Sequence, residues 1–223
     1  MSRIQTTETV CPSCKEEFPF TMWEALNSSI HPEAAADLMQ GKLFRLTCPH
    51  CQKEHTFAYP LLYTDMDSAV MIQLVADDQG ADDFIELVSR LPDESLYFSP
   101  TSVDNYRYRI VIDPNELTEK ANIFRLGLDD RVIELCKYMA CAGVANSYPN
   151  VTIQRVLLSV EPPREILLFL EGGSIIKLPL PADMYSDVKN RFSYAIEAFS
   201  EGQYTIDQDW AMKVLTCRRR NHA

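Results

Sequence analysis

Two Cys-Pro-x-Cys pairs stand in the first quarter of the chain, Cys11-Pro12-Ser13-Cys14 and Cys48-Pro49-His50-Cys51. Together they supply the four thiolates of a closed tetrahedral shell. Zn²⁺ is the expected occupant, and a single iron is the chemical alternative. A closed shell leaves no coordination position for a substrate, so this motif speaks of folding rather than of a reaction. The proline in each pair holds the cysteine before it in extended geometry. That suits a tight turn whose later amides point at sulfur.

The surroundings of the two pairs match. Counting from the first cysteine of each, a cysteine recurs at +3, a glutamate at +6 and a phenylalanine at +9: Cys14, Glu17 and Phe20, then Cys51, Glu54 and Phe57. An extended segment precedes each pair (Glu8-Thr9-Val10 and Leu43 to Thr47), and a polar turn with alternating residues follows. This is the strand–knuckle–strand pattern of a zinc ribbon, written twice. The 33 residues between the copies exceed the usual ribbon spacing of roughly 15–20. They leave room for an inserted helix from Pro32 at N1 through Gln40, closed by Gly41, with Leu38 and Met39 toward the ribbon. Pro60, within Tyr59-Pro60-Leu61-Leu62-Tyr63, argues against a central strand there.

Beyond residue 63 the pattern predicts a buried strand over 69–76 and a helix over 82–91 ended by Pro92. A strand follows over 106–113, then two helices over 115–125 and 129–142 broken near Gly127. Residues 152–160, 165–170 and 174–178 read as an antiparallel meander turning at Pro162-Pro163 and Gly172-Gly173. A helix over 182–200 follows, and 204–215 fits strand or helix equally. Strands and helices come in blocks, so the expected class is α+β: an N-terminal zinc ribbon with an inserted helix, then an antiparallel sheet with packed helices. The expected division is 1–75 for the ribbon region and 76–223 for the remainder.

The cysteine pairs, the helix leading into Gly41-Lys42-Leu43-Phe44, and the run Tyr59-Pro60-Leu61-Leu62-Tyr63-Thr64-Asp65 resemble the bacterial CpXC family, named for its two Cys-Pro-x-Cys motifs. The resemblance spans about residues 6–140. It implies a domain to which no activity is assigned. The four motif cysteines carry over to Cys11, Cys14, Cys48 and Cys51, and nothing catalytic does.

Charge narrows the function classes. The chain carries 21 basic and 32 acidic residues, a formal −11, which disfavours nonspecific binding to phosphate backbones. The best local nucleic-acid candidate, Tyr106-Arg107-Tyr108-Arg109, alternates on a strand. Its tyrosines then share one face, toward the core, and its arginines the other, toward solvent. Arg218-Arg219-Arg220 is a short basic tail. Seven cysteines argue against a fully paired disulfide framework, and no N-terminal apolar run suggests export, so a reducing, cytoplasmic address is expected. Nothing spans or anchors in a membrane.

Redox chemistry is the alternative use of Cys-Pro-His-Cys, but that chemistry wants the pair at a helix start, and Gln52 to Pro60 reads as strand. Cys136 and Cys141 are expected as small buried hydrophobes, and Cys217 lies near the tail. His50 is expected to be a donor behind the ligands, or solvated; His31 leads into a helix; His55 and His222 carry no assignment. The acidic pairs Asp77-Asp78, Asp82-Asp83, Asp129-Asp130 and Asp207/Asp209 read mainly as helix caps. The Walker, dinucleotide-binding, nucleophile-elbow and HExxH signatures are missing. The expectation is a non-enzymatic protein with a structural Zn²⁺ and a protein partner. The alternatives are a nucleic-acid-binding regulator using the ribbon and a thiol-disulfide oxidoreductase.

Overall fold

The computed structural model describes residues 2–94 and 106–220, leaving aside the side chains of 92–94 and 217–220. Among these residues the chain is a mixed α+β protein of ten strands and six helices. It forms two compact units, Met1–Ala121 and Asn122–Ala223.

The first unit opens with an antiparallel hairpin of β1 (Arg3–Val10) and β2 (Glu17–Asn27), closed by Val10 opposite Glu17. Helix α1 (Pro32–Met39) follows with proline in its first turn, and Gly41 at φ 65° ends it in the left-handed conformation glycine tolerates. A second, shorter hairpin pairs β3 (Arg45–Thr47) with β4 (Glu54–Thr56). Then come β5 (Leu61–Asp65), β6 (Val70–Leu74), helix α2 (Asp78–Glu94) and β7 (Arg107–Val111). Five of these strands form one sheet in the order β1-β2-β5-β6-β7. Leu61, Tyr63 and Asp65 stand opposite Leu74, Ile72 and Val70, and these six side chains are buried on one face. Asp65 is satisfied there: it accepts from the amides of Asp67 and Ser68 and from the Ser68 hydroxyl.

Several expectations are corrected. The expected antiparallel sheet is the meander of the second unit, whereas the first unit holds a mixed sheet that the sequence did not predict, because β2 pairs β5 and β6 pairs β7 in parallel. That sheet runs on past residue 75, since β7 hydrogen-bonds to β6. A central strand does follow Pro60: it starts at Leu61, so the missing amide falls outside the ladder. Helix α2 begins four residues earlier than Asp82, at Asp78, and continues through Pro92 to Glu94. A proline that close to a helix end removes one hydrogen bond and leaves the preceding turns intact. The arginines of β7 do not point to solvent. Arg109 is buried and donates to the Tyr108 carbonyl, while Arg107 is half-buried and donates to the Ser68 carbonyl.

The second unit holds the end of helix α3 (Pro114–Arg125), then α4 (Asp130–Ser147). Next come an antiparallel meander of β8 (Ile153–Ser159), β9 (Glu165–Leu170) and β10 (Ile175–Pro179), and helices α5 (Ala182–Ala198) and α6 (Gln208–Arg220). The ambiguous stretch 204–215 is thus largely helical, because Trp210, Ala211 and Val214 lie on one buried side of α6. They share a core with Ile133, Leu135 and Leu168.

Most of the acidic pairs cap as expected, whereas Asp82 and Asp83 lie inside α2. Asp77, Asp129 and Asp207 accept from the amides of Gly80, Arg131 and Trp210. Cys136 is fully buried in this core, and burial pushes its thiol up to about 12. Cys141 is half-buried. The side chains of Cys217 and Arg218-Arg219-Arg220, and all of His222, lie outside the described residues. No helix among the described residues is long and apolar enough to cross a membrane.

Candidate metal centre

Each Cys-Pro-x-Cys pair closes one of the two hairpins, and the closures are built alike. In the first, the Lys15 amide donates to the Cys11 carbonyl and the Cys11 amide to the Glu16 carbonyl. In the second, the Gln52 amide donates to the Cys48 carbonyl and the Cys48 amide to the Lys53 carbonyl. The residue after each second cysteine has positive φ, 66° at Lys15 and 59° at Gln52. Neither is glycine, so each turn holds a conformation that ordinary side chains disfavour. The repeated glutamates Glu17 and Glu54 begin β2 and β4. The repeated phenylalanines Phe20 and Phe57 stack on one another at 6.0 Å, and Phe18 meets Phe57 edge-on at 6.5 Å. This aromatic layer joins the two hairpins beneath their turns.

Above it the four motif sulfurs converge. All lie within 4.8 Å of one another, with Cys11 Sγ 3.6 Å from Cys51 Sγ and Cys14 Sγ 3.7 Å from Cys48 Sγ. A disulfide would need about 2.05 Å, and all four thiols are free. Four sulfurs about 2.3 Å from one tetrahedral ion stand roughly 3.8 Å apart, so the spacing fits a single shared metal ion. A multi-iron cluster distributes its thiolates over different irons and spreads the sulfurs further. Cys11 and Cys48 are fully buried, whereas Cys14 and Cys51 are partly exposed.

The two thiols of the first pair are pushed in opposite directions. Burial acts to raise the Cys11 thiol, but the amides of Cys14 and Ser13 and the thiols of Cys14 and Cys48 outweigh it and bring it down to about 5. At Cys14 the Glu16 amide pulls downward, yet burial and the sulfurs of Cys11, Cys48 and Cys51 push the thiol up to about 12. One thiolate is thus easy to form, and the next meets repulsion that a divalent ion would relieve.

Of the histidines near the turns, His50 is exposed, as one of its two expected readings had it. His50, inside the second turn, donates from Nε2 to the Glu17 carbonyl at 3.2 Å and so ties one hairpin to the other. His55, which the sequence left without a role, brings Nε2 to 3.5 Å from Cys11 Sγ. A signal for it existed in the repeat: position +7 is Phe18 in the first copy and His55 in the second. His31 leads into α1 as expected, edge-on to Trp23 at 4.7 Å. The Cys48–Cys51 pair opens no helix and leads into β4. The dipole that lowers the first thiol of a helix-initiating dithiol is therefore not supplied.

Fold and site define a mixed α+β protein with a four-cysteine cluster able to take one metal ion. The chain belongs to the CpXC protein family, whose model matches residues 9–137 and so includes both cysteine pairs. No curated protein and no solved structure matches the chain.

Proposed function

We propose that the cluster holds a structural Zn²⁺ on Cys11, Cys14, Cys48 and Cys51, and that the protein is a zinc-ribbon-like interaction module without catalytic activity, working on a protein partner in the cytoplasm. The convergence of four free thiols at the spacing of a single tetrahedral ion, at the tips of two matched hairpins, carries this reading. Donor sets of four thiolates favour zinc over harder divalent ions, and a set of four protein ligands leaves no open position for chemistry. The acidic charge and the inward engagement of Arg107 and Arg109 weigh against a phosphate-binding face. The strand after Cys51 weighs against a dithiol oxidoreductase.

Cross-linking in the native cell, followed by mapping of the linked peptides, tests the interaction role. Stoichiometric links from residues 1–121 to one other protein are expected. Retention of the protein by DNA or RNA at low salt, or turnover in an insulin-reduction assay, contradicts it.

A further inference from the structure

Resting on the metal site proposed above, we propose that His55 is a positioning residue for the ion, donating its Nε2–H to the thiolate of Cys11. The two hairpins are alike in turn, backbone hydrogen bonding and aromatic layer, and at +7 the first carries a phenylalanine and the second a histidine. Phe18 there is 4% exposed and belongs to the apolar cluster around Cys11 and Cys48. His55 occupies the corresponding place in the second hairpin. Its backbone is fixed by pairing with Leu46, its ring stands edge-on to Phe57 at 6.3 Å, and Nε2 lies 3.5 Å from Cys11 Sγ.

The mutually adjacent donor set consists of four sulfurs and no nitrogen, so the ring is placed behind a ligand rather than as one. Cys11 has no exposed surface, and water therefore cannot serve its sulfur. Internal N–H groups must disperse the charge that a thiolate keeps when bound to zinc. Cys48 is equally buried, but its repeat-related neighbour is a hydrocarbon ring. The site is thus lopsided: the first hairpin's buried sulfur receives a side-chain donor, and the Nε2–H tautomer is selected by it.

The test compares zinc-loaded wild type with His55→Phe, which restores the aromatic of the first copy and removes the N–H. Both proteins take up one equivalent of zinc, and the variant yields it to a chromophoric chelator with about 10–100-fold weaker retention, the range typical for loss of a group that orients a metal ligand. A second measurement needs no variant. Wild type loaded with ¹¹³Cd shows a scalar coupling between the metal and the His55 Hε2 proton, transmitted through sulfur. Equal retention in the two loaded proteins, or a ¹¹³Cd spectrum in which Nε2 carries no proton, overturns the role of His55. Failure of both proteins to bind zinc contradicts instead the metal site on which the inference rests.

Discussion

Replacing Cys48 by alanine separates the metal's contribution from that of ordinary burial, because Cys136 supplies a matched control. Both thiols are fully buried, so each substitution loses comparable packing, about 1–2 kcal/mol for the atoms removed and the cavity left. Cys48 alone stands among sulfurs spaced for one ion. Free zinc a thousandfold above its dissociation constant stabilises a folded binding unit by about 4 kcal/mol. For a unit the size of Met1–Ala121 that shifts the melting temperature by on the order of 15 °C. Differential scanning calorimetry with and without a strong chelator reads the difference. Wild type and Cys136→Ala lose that stabilisation when the chelator is added. Cys48→Ala has lost it beforehand and does not respond. A Cys48→Ala protein that keeps full metal stoichiometry and a chelator-sensitive transition refutes the reasoning.

Two further outcomes follow from the geometry. Lys15→Gly relieves a positive-φ backbone and stabilises the first turn by up to about 1 kcal/mol, while the β-branched Lys15→Val destabilises it by about 1–2 kcal/mol, read by chemical denaturation of the loaded protein. The Cys136 thiol is raised above its ordinary value of 9.0 to about 12 by burial, so the folded state favours its protonated form. Its contribution is complete below pH 9 and is lost as pH rises toward 12, at about 1.4 kcal/mol per pH unit within that window. The alkaline decline in stability is therefore shallower in Cys136→Ala. Equal slopes in the two proteins contradict this.

The cysteine turns were legible because metal ligation imposes a fixed spacing, and the +6 and +9 echoes mark where each second strand begins and where the aromatic layer lies. The positive φ at Lys15 and Gln52 was not legible, since neither residue is glycine; the closing hydrogen bonds of the turn impose it. His55 escaped notice for a similar reason. Proximity in sequence pointed to His50, whereas strand direction aims His55 at Cys11. The meander of β8 to β10 was legible from paired turn signals and alternation. The five-stranded sheet was not, because parallel pairing of β2 with β5 and of β6 with β7 joins segments far apart in sequence and leaves no local mark. The inward placement of Arg109 and Arg107 on β7 likewise goes with the Tyr108 and Ser68 carbonyls that receive them.

X-ray absorption at the zinc edge of the purified protein is the most direct measurement. One zinc per chain with four sulfur scatterers at about 2.3 Å and no nitrogen or oxygen in the inner sphere is the result expected. A mixed nitrogen–sulfur sphere, metal–metal scattering, or a protein that carries no zinc would contradict a structural ion held by Cys11, Cys14, Cys48 and Cys51.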